Sequence, residues 1–226
     1  PSFYVHPDKG FFKCFSTGEG GDCYSFIMKV ENLEFYEAVE FLSQKFNIPL
    51  QYDKGNQSPK ELSLRKQALE IHSFASEWFH KYFMQSEEAE PVRLYWQNQR
   101  RFSLDIAKEY KIGYAPTNLK ALSLALEKKQ FTIDALKASG LFFVNERASQ
   151  IDQLKPRFRG RLMIPISDKI GRICAFTARK LSQTPEWGDR KSPKYVNSPE
   201  TPIFEKGNLL FNLHLANKEI SEDKEF

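Results

Sequence analysis

Residues 155–180 read KPRFRGRLMIPISDKIGRICAFTARK, and SPKYVNSPETPIFEKG follows at residues 192–207. The first ten residues alternate. Arg157, Arg159 and Arg161 share one parity, while Phe158, Leu162, Ile164 and Ile166 share the other. A strand sends successive side chains to opposite faces, so the pattern predicts three guanidiniums on one face and an apolar inner face. Asp168-Lys169-Ile170-Gly171 reads as a tight connection to RICAFTAR, which makes the pair an antiparallel hairpin. Eight Lys/Arg stand against one acid, Asp168, between Lys155 and Lys180. A basic face on a rigid sheet suits a polyphosphate backbone, because each neutralised phosphate releases condensed counterions. It equally suits an outer face that keeps an edge strand from aggregating, and the residues alone leave the two readings balanced.

Working outward, the strands LFFV at 141–144 and KYVN at 194–197 flank the hairpin, and helices precede them. Leu64, Ala68, Ile71, Ala75, Trp78 and Tyr82 step by four and three along one face of a long helix. Ser58-Pro59-Lys60-Glu61 has the form of a capping box at its start. Further helices are predicted after Pro91, from Ser103 to near Gly113, from Asn118 to Lys129, and from Thr132 to Ser139, the last stopped by Gly140. Helices followed by sheet make this an α+β domain.

The first fifty residues form a separate pattern. SFYVHP and GFFKCF flank a Pro-Asp-Lys-Gly turn as a β-hairpin, and GEGGD leads to a helix from about Cys23. Asn32 is the expected N-cap of a second helix carrying Phe35, Val39, Leu42 and Phe46. Phe11, Phe12 and Phe15 are expected in the core of this small unit, and Lys13 as its contact residue. The polar DKGNQS at 53–58 is the linker, giving domains at 1–52 and 59–226. The charged tail from Lys218 is expected to fray.

Composition sets the outer bounds. Hydrophobic residues make up 41% of the 226, and Phe alone numbers 20, which excludes a disordered chain. No apolar run reaches the ~18 residues of a bilayer span. Three cysteines without a scaffold pattern favour a reducing cytosol. The start at PSFYV, without Met, fits a trimmed segment. Residues 1–58 hold five Lys/Arg against eight Asp/Glu, and the remainder 28 against 21, so basicity is local. GEGGD lacks the Lys-Ser/Thr of a phosphate loop, and His6, His72, His80 and His214 have no acid or nucleophile at catalytic spacing, so they read as surface histidines.

These residues resemble the bacterial DnaG-type DNA primases over nearly the whole chain. GFFKCFSTGEGGDCYSFIM with NLEFYEAVEFL is similar to the second half of that family's zinc-binding domain. RFRGRLMIPISDKIGRICAF and PKYVNSPETPIFEKGNLLFNL are similar to the N-terminal side of its RNA polymerase domain. The resemblance implies a nucleotidyltransferase of the bacterial cytoplasm, associated with the nucleoid. The parent would make short RNA primers on single-stranded DNA from NTPs and would meet a replicative helicase through another domain. It also implies Mg2+ or Mn2+ on carboxylates of a Toprim core that follows this segment, so no catalytic residue is expected here and the isolated chain is expected to be inactive. Arg157, Arg159, Arg161, Arg179, Lys194, Asn197 and Lys206 match the family's basic ridge for template and nucleotide, and Tyr195 is placed to stack on a base.

Two positions depart from the family. Cys14 matches a zinc ligand, but Thr17 stands where the next cysteine belongs, and a neutral hydroxyl is a poor donor beside thiolate. The expectation is a ribbon that has lost zinc and rests on its aromatic core, with Cys14 and Cys23 as small hydrophobes. AFTAR at 175–179 replaces a glycine-richer segment, which narrows close approach there. The other reading is a non-catalytic nucleic-acid-binding or adaptor protein derived from a primase front end.

Overall fold

The computed structural model describes residues 2–31, 33, 35–50, 59–118, 120–186, 188 and 191–216. The linker at 53–58, Ser58 of the capping box, the cap at Asn32 and the tail from Lys218 lie outside them. Two compact units emerge. One is Pro1–Gly55 with Asp168–Gly171 and Leu210–Phe226; the other is Asn56–Ser167 with Arg172–Leu209.

In the first unit, β1 (Phe3–His6) pairs antiparallel with β2 (Phe11–Cys14) in the expected hairpin. Gly10 closes its turn at φ 66°, in the left-handed region where glycine has no steric cost. GEGGD holds more than a turn: Gly20–Asp22 forms a third strand, β3, on β2. Asp22 then caps α1 (Cys23–Val30) by accepting from the Ser25 amide at 2.8 Å, and α2 (Phe35–Phe46) follows. Of the three phenylalanines expected in the core, Phe12 alone is buried, against the rings of Phe3 (5.6 Å) and Phe26 (5.3 Å). Strand alternation turns Phe11 to the opposite face, and Phe15 lies beyond the strand and is exposed.

In the second unit, α3 (Pro59–Gln85) is the spine. Its buried arc is wider than the predicted stripe. Ala68, Ile71 and Ala75 are fully buried as expected, but so are His72, Ser76, Phe79 and Phe83. His72 is therefore a core residue, stacked on Phe176 at 5.6 Å and bonded through Nδ1 to the Ala68 carbonyl oxygen at 2.9 Å. The surface reading of that histidine was incorrect because helices and sheet enclose α3 on two sides. His80 bonds the Ile112 carbonyl oxygen at 2.7 Å.

The short helices α4 (Glu90–Leu94), α5 (Leu104–Glu109), α6 (Ala121–Glu127) and α7 (Ile133–Ala138) sit near their expected places. Ser103 and Thr132 cap α5 and α7 through their hydroxyls, and Gly140 (φ 73°) follows α7. Helix α5 stops short of Gly113, because Gly113–Ala115 is instead a strand, β4. A Cβ at Gly113 would lie 2.6 Å from Cβ of Phe79, so glycine allows β4 to press on α3.

The sheet runs β4–β5–β6–β7, all antiparallel, with β5 at Arg161–Ser167, β6 at Ile173–Lys180 and β7 at Tyr195–Asn197. The hairpin and β7 match expectation, and the fold is α+β. LFFV does not form a strand; Phe142 makes a single bridge to Pro156. Strand β5 also begins later than the alternation implied. Gly160 adopts φ 56° and breaks the run, so Phe158 joins the cluster of Phe79 and Phe176, whereas Leu162 joins that of Phe83 and Trp96.

Candidate nucleic-acid interface

Cross-strand partners share a face, so register decides what the sheet presents. Leu162 pairs with Arg179, and Arg179 with Tyr195; Thr177 pairs with Asn197. Arg179, Tyr195, Thr177 and Asn197 therefore share one face. Arg161 pairs with Lys180 and belongs to the opposite face. The expected single row of arginines does not form: Arg157 and Arg159 precede the strand, and the basic residues divide between two clefts.

The first cleft, about 430 Å³, is lined by Leu94, Tyr95, Asn98, Arg179, Ser182 and Gln183 among others. Arg179 is its centre. Its Nε donates to the Tyr95 hydroxyl at 2.5 Å and its Nη1 to the Tyr195 hydroxyl. The guanidinium lies 5.9 Å from the Tyr95 ring centroid and 5.2 Å from that of Tyr195, within cation–π range of both. Partial burial works against its charge, but the hydroxyls and the phenolic oxygens' negative character outweigh it and raise the pKa. Tyr195 remains 45% exposed, so one tyrosine face stays open beside a fixed cation. Sequence reasoning missed Tyr95. It stands on a π-helical turn, Tyr95–Gln99, which re-aims the chain, and 84 positions separate it from Arg179.

Lys194 and Asn197 are exposed on either side of Tyr195. The Lys194 carbonyl accepts from the Lys180 amide at 2.7 Å, which fixes the backbone and leaves the ammonium at the surface. Turn chemistry after β7 falls to Ser198, not Asn197: the buried Ser198 hydroxyl accepts from the Phe176 amide at 3.0 Å. Lys206 starts the 3-10 turn Lys206–Asn208, its amide donating to the Glu200 carboxylate at 3.2 Å and its side chain exposed.

The second cleft, about 290 Å³, is lined by Phe143, Lys155, Arg157, Arg159, Arg161 and Glu186 among others. Each arginine is anchored by a backbone carbonyl oxygen. Arg157 Nε donates to Gly140 and Arg159 Nε to Thr117, both at 3.1 Å; Arg161 Nη1 donates to Ala178 at 3.2 Å and Pro193 at 3.0 Å. Arg161 is only 1% exposed. Burial lowers its pKa and that of Arg157, and for Arg161 the nearby Glu186 charge opposes the shift.

Lys13 and Cys14 lie in the first unit. Lys13 Nζ donates to the Gly18 carbonyl oxygen at 2.6 Å, across its own turn. Cys14 Sγ sits 3.1 Å from Ser16 Oγ, and hydrogen bonding from Ser16, then Thr17, lowers the thiol to about 7. Thr17 Oγ1 accepts from the Glu19 amide at 3.4 Å. Among the described residues no three His, Cys, Asp or Glu side chains gather as metal ligands. Beside Cys14 the available donors are the neutral hydroxyls of Ser16 and Thr17, which suit zinc poorly next to thiolate. Among the described residues, no helix is long and apolar enough to cross a membrane.

Comparison with known proteins finds two matching families. The profile of the DNA primase catalytic core, N-terminal domain, matches residues 78–217, and that of the CHC2 zinc finger matches residues 1–58. A DNA primase of Streptomyces coelicolor is 38% identical over 223 residues, covering 98% of this chain and 33% of the relative. The RNA polymerase domain of Mycobacterium tuberculosis primase DnaG, in complex with double-stranded DNA, superposes with a TM-score of 0.60. It is 30% identical and covers 70% of this chain and 46% of that one. A DnaG primase catalytic domain bound to single-stranded DNA superposes with a TM-score of 0.57, at 28% identity, over 70% of this chain and 45% of that one. The chain spans about a third of the length of the curated relatives it matches.

Proposed function

The chain belongs to the DnaG-type DNA primase family, and on that premise we propose that it forms the template-binding front of a primer-synthesising enzyme. Residues 1–52 are the zinc-ribbon-like domain, 53–58 the linker, and 59–226 the N-terminal part of the RNA polymerase domain. Arg179, Tyr195, Lys194 and Asn197 form the strand-binding surface, with Lys206 as an outlying phosphate contact; Lys13 is a separate contact residue of the first unit.

The observation that carries this reading is the guanidinium of Arg179 held between two tyrosine rings, with one ring open to solvent. A base stacks on an open aromatic face whatever its identity, while the fixed cation draws the adjacent phosphate. This serves a template of arbitrary sequence. The DnaG domain solved with single-stranded DNA supports the same ligand class for this chain.

The parent protein would join NTPs into an RNA primer. Mg2+ or Mn2+, held by carboxylates outside the residues described here, would organise the triphosphate and the attacking 3′-hydroxyl. A replicative helicase would be met by another part of the parent, in the bacterial cytoplasm. What this chain's own residues do is bind and orient the template.

The test is binding of the whole chain to a single-stranded oligonucleotide across a salt series. The expected result is a linear fall of log K with log salt concentration. A flat response removes the phosphate contacts and leaves the adaptor reading.

A further inference from the structure

The π-helical turn Tyr95–Gln99 gives the 430 Å³ cleft two side chains that strand binding leaves unused. Asn98 and Gln99 line the cleft beside Pro91, Leu94 and the Arg179 guanidinium. Both residues are exposed, and neither carboxamide is hydrogen-bonded to another described residue. The turn that carries them is held in place. The buried Trp96 indole donates to the Ser103 carbonyl oxygen at 2.9 Å, the Arg100 amide to that of Tyr95 at 3.1 Å, and the Phe102 amide to that of Trp96 at 3.2 Å. A single π-turn inside a helix often marks a functional site. Arg179 joins this cleft to the strand-binding surface, since one guanidinium bonds both the Tyr95 hydroxyl, at 2.5 Å, and the Tyr195 hydroxyl.

We propose that this cleft takes one unstacked adenine of the template, read by the carboxamides of Asn98 and Gln99. The inference rests on the strand-binding reading above and adds base selection to it. A carboxamide sets an acceptor beside a donor, which matches the N6 amino group of adenine together with a ring nitrogen. Adenine offers that arrangement on both sides of N6, with N7 on one and N1 on the other, so two neighbouring carboxamides are satisfied at once. Cytosine and thymine each satisfy one. Guanine presents two acceptors, N7 and O6, which call for a free guanidinium fork. Arg179 has already committed Nε and Nη1 to the tyrosine hydroxyls. Pro91 and Leu94 supply the apolar wall that an unstacked base needs. Stacking on Tyr195 stays indifferent to sequence, so the preference falls on one position of the strand.

The probe is a short oligothymidine carrying a single central adenine, cytosine or guanine, bound to the whole chain at fixed salt. The adenine oligomer should bind at least about fivefold tighter than the guanine oligomer, the lower end of what one bidentate base contact discriminates. Asn98→Ala and Gln99→Ala should each bring that ratio down to about twofold or less, as expected when one bidentate contact is lost. Affinity for plain oligothymidine, and its salt slope, should stay native in both variants. The native chain tests the proposal without any variant. Salt-dependent binding with no adenine preference, or with a preference for guanine, overturns the cleft and leaves the strand-binding reading standing. No binding of any oligomer overturns both. An adenine preference that survives both substitutions means that the base is read elsewhere, and it too overturns the assignment.

Discussion

Replacing His72 with leucine should make the second unit more resistant to acid. His72 is fully buried in the core, and burial lowers its pKa from 6.5 to about 4, against a smaller raising effect of its bond to Ala68. The unfolded chain therefore takes up the proton first as pH falls. Stability is full above pH 6.5, declines between 6.5 and 4, and levels below. A displacement of this size corresponds to about 3 kcal/mol in total, of which about 2 kcal/mol is lost between pH 7.5 and 5. That is a large share of the roughly 5–15 kcal/mol that holds a domain together. Leucine fills a similar volume against Phe176, removes the buried Nε2 that lacks a partner, and has nothing to titrate. Residues 1–55 contain no tryptophan, and Trp78 and Trp96 belong to the second unit, so tryptophan fluorescence in urea reports that unit. The drop in unfolding free energy from pH 7.5 to 5 should be about 2 kcal/mol smaller in the variant. Parallel drops in the two proteins would refute the assignment of a neutral, buried imidazole.

Two further substitutions probe the scaffold that positions the clefts. Gly113→Ala would place a methyl 2.6 Å from Cβ and 2.9 Å from the carbonyl carbon of Phe79, so about 1–3 kcal/mol should be lost in urea unfolding. An unchanged midpoint would mean that β4 does not press on α3. Ser103→Ala removes the hydroxyl that accepts from the Ile106 amide at 3.3 Å and should cost about 1 kcal/mol by the same assay, with Ser103→Asp restoring most of it.

The hairpin of β5 and β6 was legible because its alternation is long and its turn short. What misled was a single residue. Gly160 looked like one more position in an alternating run, yet at φ 56° it reverses parity, so Arg157 and Arg159 line a cleft from a loop and Arg161 joins them from the first position of β5. Its Cβ would meet the Gln183 carbonyl oxygen at 2.9 Å, a long-range contact that local pattern does not carry. The three-residue strands β3 and β4 are too short for periodicity to register. His72 was misplaced because one helical stripe was assumed, and only tertiary enclosure on a second side buries it. Of the site, Arg179, Tyr195 and Asn197 were marked through family likeness. The partner that organises them, Tyr95, comes from a π-turn whose extra residue leaves no periodic signature.

The central claim is that an open tyrosine face beside a fixed guanidinium seats a single strand. Single-stranded DNA affinity across a salt series, for the native chain, Tyr195→Ala and Arg179→Gln, tests it most directly. Loss of stacking should lower the Tyr195→Ala affinity by about 1–3 kcal/mol with the salt slope unchanged. Loss of one phosphate contact should shallow the Arg179→Gln slope by about 0.7. Native affinity and native slope in both variants would contradict it.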